Sequence, residues 1–223
     1  MKPPLRIAFV PGVTPDKWAR IWRERYRDVP IELTPVGEAD QRRVLFEDEA
    51  DMCFVRLPVD KDGLHLIRLY DEAPVVVVGL DHPVAAYDEI PLADLVDEQL
   101  VVGDVPGWEE MHAADPLPFP EMSLGEAFEV VATGTGMAIV PMSVARLHHR
   151  KDLVSRPVLD VPETSVGLAW RVELDDERAQ DFIGVVRGRR ANSSRGRSRT
   201  ETAPKKGPKK GPAKGSKKPR PRR

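Results

Sequence analysis

The chain has 223 residues, 34 of them Lys or Arg and 36 Asp or Glu, for a formal net charge of -2 that hides a sharp partition. Residues 187–223 hold 16 Lys and Arg against one acid, Glu201, which leaves 18 basic and 35 acidic groups to the 186 residues before them. A single cysteine, Cys53, excludes an intramolecular disulfide; Met1-Lys2-Pro3-Pro4 runs into a short apolar stretch without a secretory signal core, and no window has the length of a membrane span, so a cytoplasmic location is expected.

In chain order, residues 5–10 read as a strand, Pro11-Gly12-Val13 as a turn, and Thr14-Pro15-Asp16 as a helix start. Trp18, Ile21, Trp22 and Tyr26 then recur at helical spacing, so this helix lays an apolar stripe on a sheet. Residues 31–34 read as a second strand, 38–46 as a helix, and 51–55 as a third strand, apolar throughout and carrying Cys53 as a small core side chain. Strands alternating with helices imply a parallel sheet covered on both faces, with ligands approaching the carboxyl ends of its strands.

After a turn at Asp62-Gly63, residues 66–78 hold two strands broken at Ala73-Pro74, the second ending in the buried run Val75-Val76-Val77-Val78. Residues 92–95 read as a short helix, 100–102 as a strand, 124–132 as a helix, 137–140 as a buried strand and 143–149 as a helix, which makes a second α/β lobe. A strand over 166–172 and a helix over 176–186, with Ala179, Phe182, Ile183 and Val186 on one face, close the folded part. Residues 188–223, rich in Pro, Gly, Ser and Lys, cannot bury enough apolar surface to order themselves and are expected to be disordered.

Four stretches together resemble the substrate-binding (effector) domain of LysR-type regulators: Val10-Pro11-Gly12-Val13-Thr14-Pro15, Ala50-Asp51-Met52, Gly134-Thr135-Gly136-Met137-Ala138-Ile139-Val140-Pro141 and Val166-Gly167-Leu168-Ala169-Trp170. The resemblance covers residues 5–187 and implies an α/β fold of the type 2 periplasmic-binding-protein kind. Two lobes are joined by two crossing strands near 69–75 and 158–166, lobe one taking residues 5–70 and 165–187 and lobe two residues 75–158, with a small-molecule effector between them. It further implies a homodimer, or a heteromer with a related regulator, acting in transcription regulation. Regulators of this family begin with a winged helix-turn-helix, and nothing precedes Leu5 here, so the chain is not expected to read base edges in the family's way.

Loops at the carboxyl ends of strands face such a cleft, which nominates Pro11, Gly12, Val13, Thr14, Arg56, Leu57, Pro58, Gly103, Asp104, Ser123, Gly134, Thr135 and Gly136 as ligand-binding. Thr14 reads as an anion contact at a helix start, as an N-cap, or as both. Arg56 reads either as a bidentate partner for a ligand carboxylate or as the partner of an acid such as Asp60. The glycines of Gly134-Thr135-Gly136 also read as a tight structural turn. No Lys or Arg stands between Arg68 and Arg146, while 15 Asp or Glu do, so lobe two is acidic and a neutral or cationic ligand stays open beside a carboxylate.

The tail presents Lys205, Lys206, Lys209, Lys210, Lys214, Lys217, Lys218, Arg220, Arg222 and Arg223 without an aromatic residue, which suits nonspecific, salt-sensitive contact with nucleic acid, or else a solubilising arm or an acidic protein partner. Catalytic chemistry is hard to find. There is no Gly-x-Ser-x-Gly, no Gly-x-x-x-x-Gly-Lys and no His-Glu-x-x-His, and the adjacent His148 and His149 diverge too far on a helix to share a metal. Neither an enzyme, a cofactor nor a metal is expected.

Overall fold

A computed structural model describes residues 2–174 and 176–188. The expectations of a disordered tail and of its nucleic-acid contacts therefore fall outside the described residues, save for Gly188, which ends a turn after the last helix.

Lobe one starts with β1 (Leu5–Phe9), α1 (Asp16–Arg25) and β2 (Ile31–Pro35). A 3-10 turn (Glu38–Asp40), α2 (Arg43–Phe46), β3 (Met52–Arg56) and β4 (Leu64–Glu72) follow. The chain crosses at Ala73 into lobe two, made of β5 (Pro74–Gly79), β6 (Ile90–Pro91), β7 (Leu100–Val102), α3 (Trp108–Met111), α4 (Leu124–Ala132), β8 (Met137–Pro141), α5 (Met142–Leu147) and β9 (Leu153–Leu159). It returns through residues 160–163 to finish lobe one with β10 (Thr164–Arg171) and α6 (Glu177–Val186).

The two sheets run β2-β1-β3-β10-β4 and β6-β9-β5-β8-β7. In the first, β1 pairs in parallel with β2 and β3 (Ala8 opposite Thr34 and Cys53), and β10 is inserted antiparallel between β3 and β4. The return crossing explains this order: only a strand arriving from lobe two runs against β3. The apolar stripe read from the sequence anchors lobe one. Trp22 is fully buried, donates its indole N–H to the Val29 carbonyl at 2.9 Å and meets the Phe182 ring edge-on, so α1 and α6 share one face of the sheet. Val44 and Leu45 of α2 cover the other face beside Cys53 and Ala169. Val75 to Val78 alternate between the two cores of lobe two, which is why all four are apolar.

Differences from the sequence reading have local causes. The helix expected over 38–46 is two short pieces, because the buried Gln41 turns inward and holds the Arg56 backbone at both ends: the Arg56 N–H donates to its Oε1 at 2.8 Å, and its Nε2 donates to the Arg56 carbonyl at 3.1 Å. The strand β9 gives no apolar alternation, since Ser155, Arg156 and Pro157 interrupt it, yet it lies between β5 and β6 with Pro157 opposite Val75. Three further short pieces, β6, α3 and a 3-10 turn at Pro83–Ala86, are held by neighbours rather than by pattern; the last by Arg156, whose guanidinium donates to the Ala85 and Tyr87 carbonyls.

Candidate functional site

The carboxyl ends of β1, β3 and β8 meet where the lobes touch. Pro141, the last residue of β8, lies opposite Pro74 at the crossing, so α5 begins directly over lobe one. There Gly12 has φ of +86°, and a Cβ on it would fall 2.9 Å from the Ser143 carbonyl carbon and the Val144 nitrogen, and closer still to the Ser143 hydroxyl. Any other residue would force the lobes apart or strain the turn.

Beside this contact sits a buried polar cluster. Arg56, 4% exposed, donates to the Glu72 carboxylate at 3.0 Å, to the Pro11 carbonyl at 3.0 Å, to the Ser143 hydroxyl at 3.3 Å and to the Glu38 carboxylate. Ser143 in turn donates to Glu72 at 2.8 Å. A cation this deep requires a partner, and it has two. Burial, and then the charge of Glu72, push the nearby Tyr70 hydroxyl up.

Between the lobes a hollow of about 430 Å³ is lined by Phe9, Pro11, Gly12, Val13, Thr14 and Pro35 from lobe one and by Ser143, Arg146 and Leu147 from α5. Its size falls in the range that holds a small organic molecule. Most of the wall is apolar. The polar groups are the Thr14 and Ser143 hydroxyls and the Arg146 guanidinium, which no carboxylate among the described residues pairs with.

The sequence-derived site residues separate into groups. Pro11, Gly12, Val13 and Thr14 line the hollow together. Thr14 is not the N-cap of α1; that position is Pro15, with no side-chain cap, so the Thr14 hydroxyl is not engaged there. Arg56 is adjacent but turned into the acids, and those acids are Glu72 and Glu38, not Asp60, which lies 3.3 Å from Arg42. Leu57 follows Arg56 into the lobe-one core around α2, and the exposed Pro58 comes after it. Gly103 and the exposed Asp104 leave β7, Gly103 lying against the Ile139 carbonyl.

Ser123 caps α4 in a reciprocal box with Glu126 and does not line the hollow. Gly134, Thr135 and Gly136 are not brought to the hollow. They precede β8 instead of following it and stand at the far end of the strand from Pro141, where a Cβ on Gly136 would overlap the Gln99 carbonyl.

Sequence reasoning missed Ser143 and Arg146. One signal was present for Arg146, the first cation after the long stretch of lobe two without Lys or Arg. Other reactive groups lie away from the seam. Burial pushes the Cys53 thiol up to about 12, and the His148 ring lies over Phe128 with centroids 5.1 Å apart. Among the described residues no group of His, Cys, Asp and Glu is arranged to hold a metal, and no helix is long and apolar enough to cross a membrane.

The family model of the LysR substrate binding domain matches residues 2–191. The Hca operon transcriptional activator HcaR of Escherichia coli strain K12 is 26% identical over 203 residues, covering 84% of this chain and 68% of that protein. The HTH-type transcriptional regulator AlsR of Bacillus subtilis strain 168 is 25% identical over 140 residues, 57% of this chain and 46% of that one. The chain spans from about half to about two thirds of the length of such curated relatives. Among solved structures, the BenM effector binding domain with its effector benzoate matches with a TM-score of 0.68 at 23% identity, covering 84% of this chain and 91% of that one, a likeness of fold.

Proposed function

The chain belongs to the LysR substrate binding domain family, and from that premise we propose that its interlobe hollow receives a small organic effector, an apolar body with a carboxylate, whose binding serves transcription regulation. The observation that carries this reading is the composition of the hollow: apolar walls from Phe9, Val13, Pro35 and Leu147, with the Thr14 hydroxyl and an Arg146 guanidinium unopposed by any acid of the described residues. Arg146 supplies charge and a two-pronged hydrogen-bond geometry that a carboxylate matches. Arg56 then supports the site from behind, since its own charge is already met by Glu38 and Glu72.

Benzoate, the effector of the BenM domain, is the first probe. Excess ligand that binds the folded state raises the melting midpoint by linkage. A panel of benzoate and related aromatic and aliphatic carboxylates is expected to contain a stabiliser of the wild type that loses its effect on Arg146→Ala. A panel without any stabiliser, or one whose shifts survive in Arg146→Ala, sinks the reading.

Family membership also supports a homodimer, or pairing with a related regulator, which light scattering on the purified chain tests directly. A separate proposal rests on charge alone: residues 187–223, with 16 Lys and Arg against one acid, contact polyanions without sequence preference. Retention on duplex DNA that falls with salt and vanishes on truncation after Gly188 is the expected result; equal retention by the truncated chain refutes it.

A further inference from the structure

The polar cluster behind the hollow joins three parts of the fold. Arg56 ends β3 of lobe one, Glu72 ends β4 at the crossing, and Ser143 lies in the first turn of α5 of lobe two. The Glu72 carboxylate takes a hydrogen bond from each lobe, 3.0 Å from Arg56 and 2.8 Å from Ser143. Both Arg56 and Glu72 are buried, so these bonds are not exchanged freely with water. The fit depends on Gly12, where any side chain would occupy the place of the Ser143 hydroxyl.

We propose that Glu72, gripped by Arg56 of lobe one and Ser143 of lobe two, is a latch that holds the two lobes closed in the absence of a small molecule. Glu72 acts as the chain's own carboxylate ligand. Hydrogen bonds to an ionised carboxylate are the stronger kind, and here one of the two crosses from lobe to lobe. Ser143 belongs to the latch and to the wall of the hollow at once. A molecule in the hollow that takes the Ser143 hydroxyl as its own partner releases Glu72 from lobe two, so occupancy and lobe spacing are coupled through one side chain.

The test is the distance between the lobes in the full chain without added ligand. Nitroxide labels go on Arg20→Cys in α1 and Glu129→Cys in α4, both exposed, while the native Cys53 is buried and stays unlabelled. Pulsed electron spin resonance then reads the spacing. Gly12→Ala, whose Cβ wedges against Ser143, supplies the open reference. Ser143→Ala removes both hydrogen bonds of its hydroxyl to lobe one, the one donated to Glu72 and the one accepted from Arg56, and its distance distribution is expected to broaden and move from that of the wild type toward that of Gly12→Ala; Glu72→Ala, which removes only the first of them, is expected to shift it in the same direction. A Ser143→Ala distribution that coincides with the wild type overturns the latch, whatever Glu72→Ala does. No small molecule enters the measurement, so this outcome is independent of the effector reading.

Discussion

Arg56 and Glu72 face each other at 3.0 Å with relative exposures of 4% and 8%, a buried ion pair formed between the end of β3 and the end of β4. Such a pair costs desolvation on both sides, and its removal is asymmetric. Loss of Glu72 leaves Arg56 with the half-exposed Glu38 as its remaining acid. Glu72→Ala is therefore expected to cost about 3 kcal/mol, near the lower end for breaking a buried pair. Arg56→Met alone leaves Glu72 without a cation and costs at least as much, whereas Arg56→Met with Glu72→Ala costs clearly less than the two single changes together. Urea unfolding of the four proteins checks this, and strictly additive costs would falsify the pairing.

Cys53 lies in the middle of β3 with no exposed surface, and burial pushes its thiol up to about 12. The thiolate is the reactive form, so the native chain is expected to resist maleimides and peroxide at neutral pH, and to take up one equivalent of maleimide in urea. Rapid labelling of the native protein would show that β3 opens far more readily than its packing indicates.

The elements easiest to read from the sequence are those that bury one stripe against a single partner. Trp18 and Trp22 of α1, Tyr26 at its C-cap and Phe182 of α6 fall at helical spacing and settle into one core. The strand β9 escapes notice because its place is fixed by β5 and β6 on either side, not by alternation of its own Ser155, Arg156 and Pro157. The site is legible only by halves. Pro11 to Thr14 follow a strand that the pattern reveals, but the partners of Arg56 stand 16 and 87 residues away along the chain, brought together by a crossing whose register no local signal encodes. The Gly134 turn misleads for a simple geometric reason: it precedes β8, and the end of β8 that reaches the seam is the other one, at Pro141.

Asp176 caps α6, accepting from the Arg178 N–H at 2.8 Å, and the Arg178 guanidinium holds its carboxyl below the usual carboxylate range. A depressed folded value means that the ionised form is favoured in the folded state, so this stability is present above the unfolded carboxyl value of about 3.9 and is lost as pH falls through the folded one. Asp176→Ala is expected to cost about 1 kcal/mol at pH 7, the worth of an N-cap. The gap between wild type and variant should narrow steadily as unfolding is repeated from pH 4 downward. A gap of constant size across that range would mean that the carboxylate charge contributes nothing.

Ser123 and Arg146 separate a structural role in lobe two from the ligand-binding role proposed there. The Ser123 backbone N–H and hydroxyl both donate to the Glu126 carboxylate at 2.7 Å, and its hydroxyl accepts from the Glu126 N–H at 3.3 Å, so its polar groups are occupied in holding the first turn of α4. Ser123→Ala is expected to cost about 1 kcal/mol, a fall of roughly 2–4 °C in melting temperature for a chain of this size. The rise in midpoint given by a bound carboxylate should be unchanged in that variant. Arg146 is exposed, makes no ion pair among the described residues and faces the hollow, so Arg146→Ala should leave the unliganded melting temperature within about a degree, as surface changes away from structural features do. The carboxylate response should then be lost. If instead Ser123→Ala abolishes the response while melting like the wild type, the effector reaches the α4 cap, and the site extends across lobe two beyond the hollow.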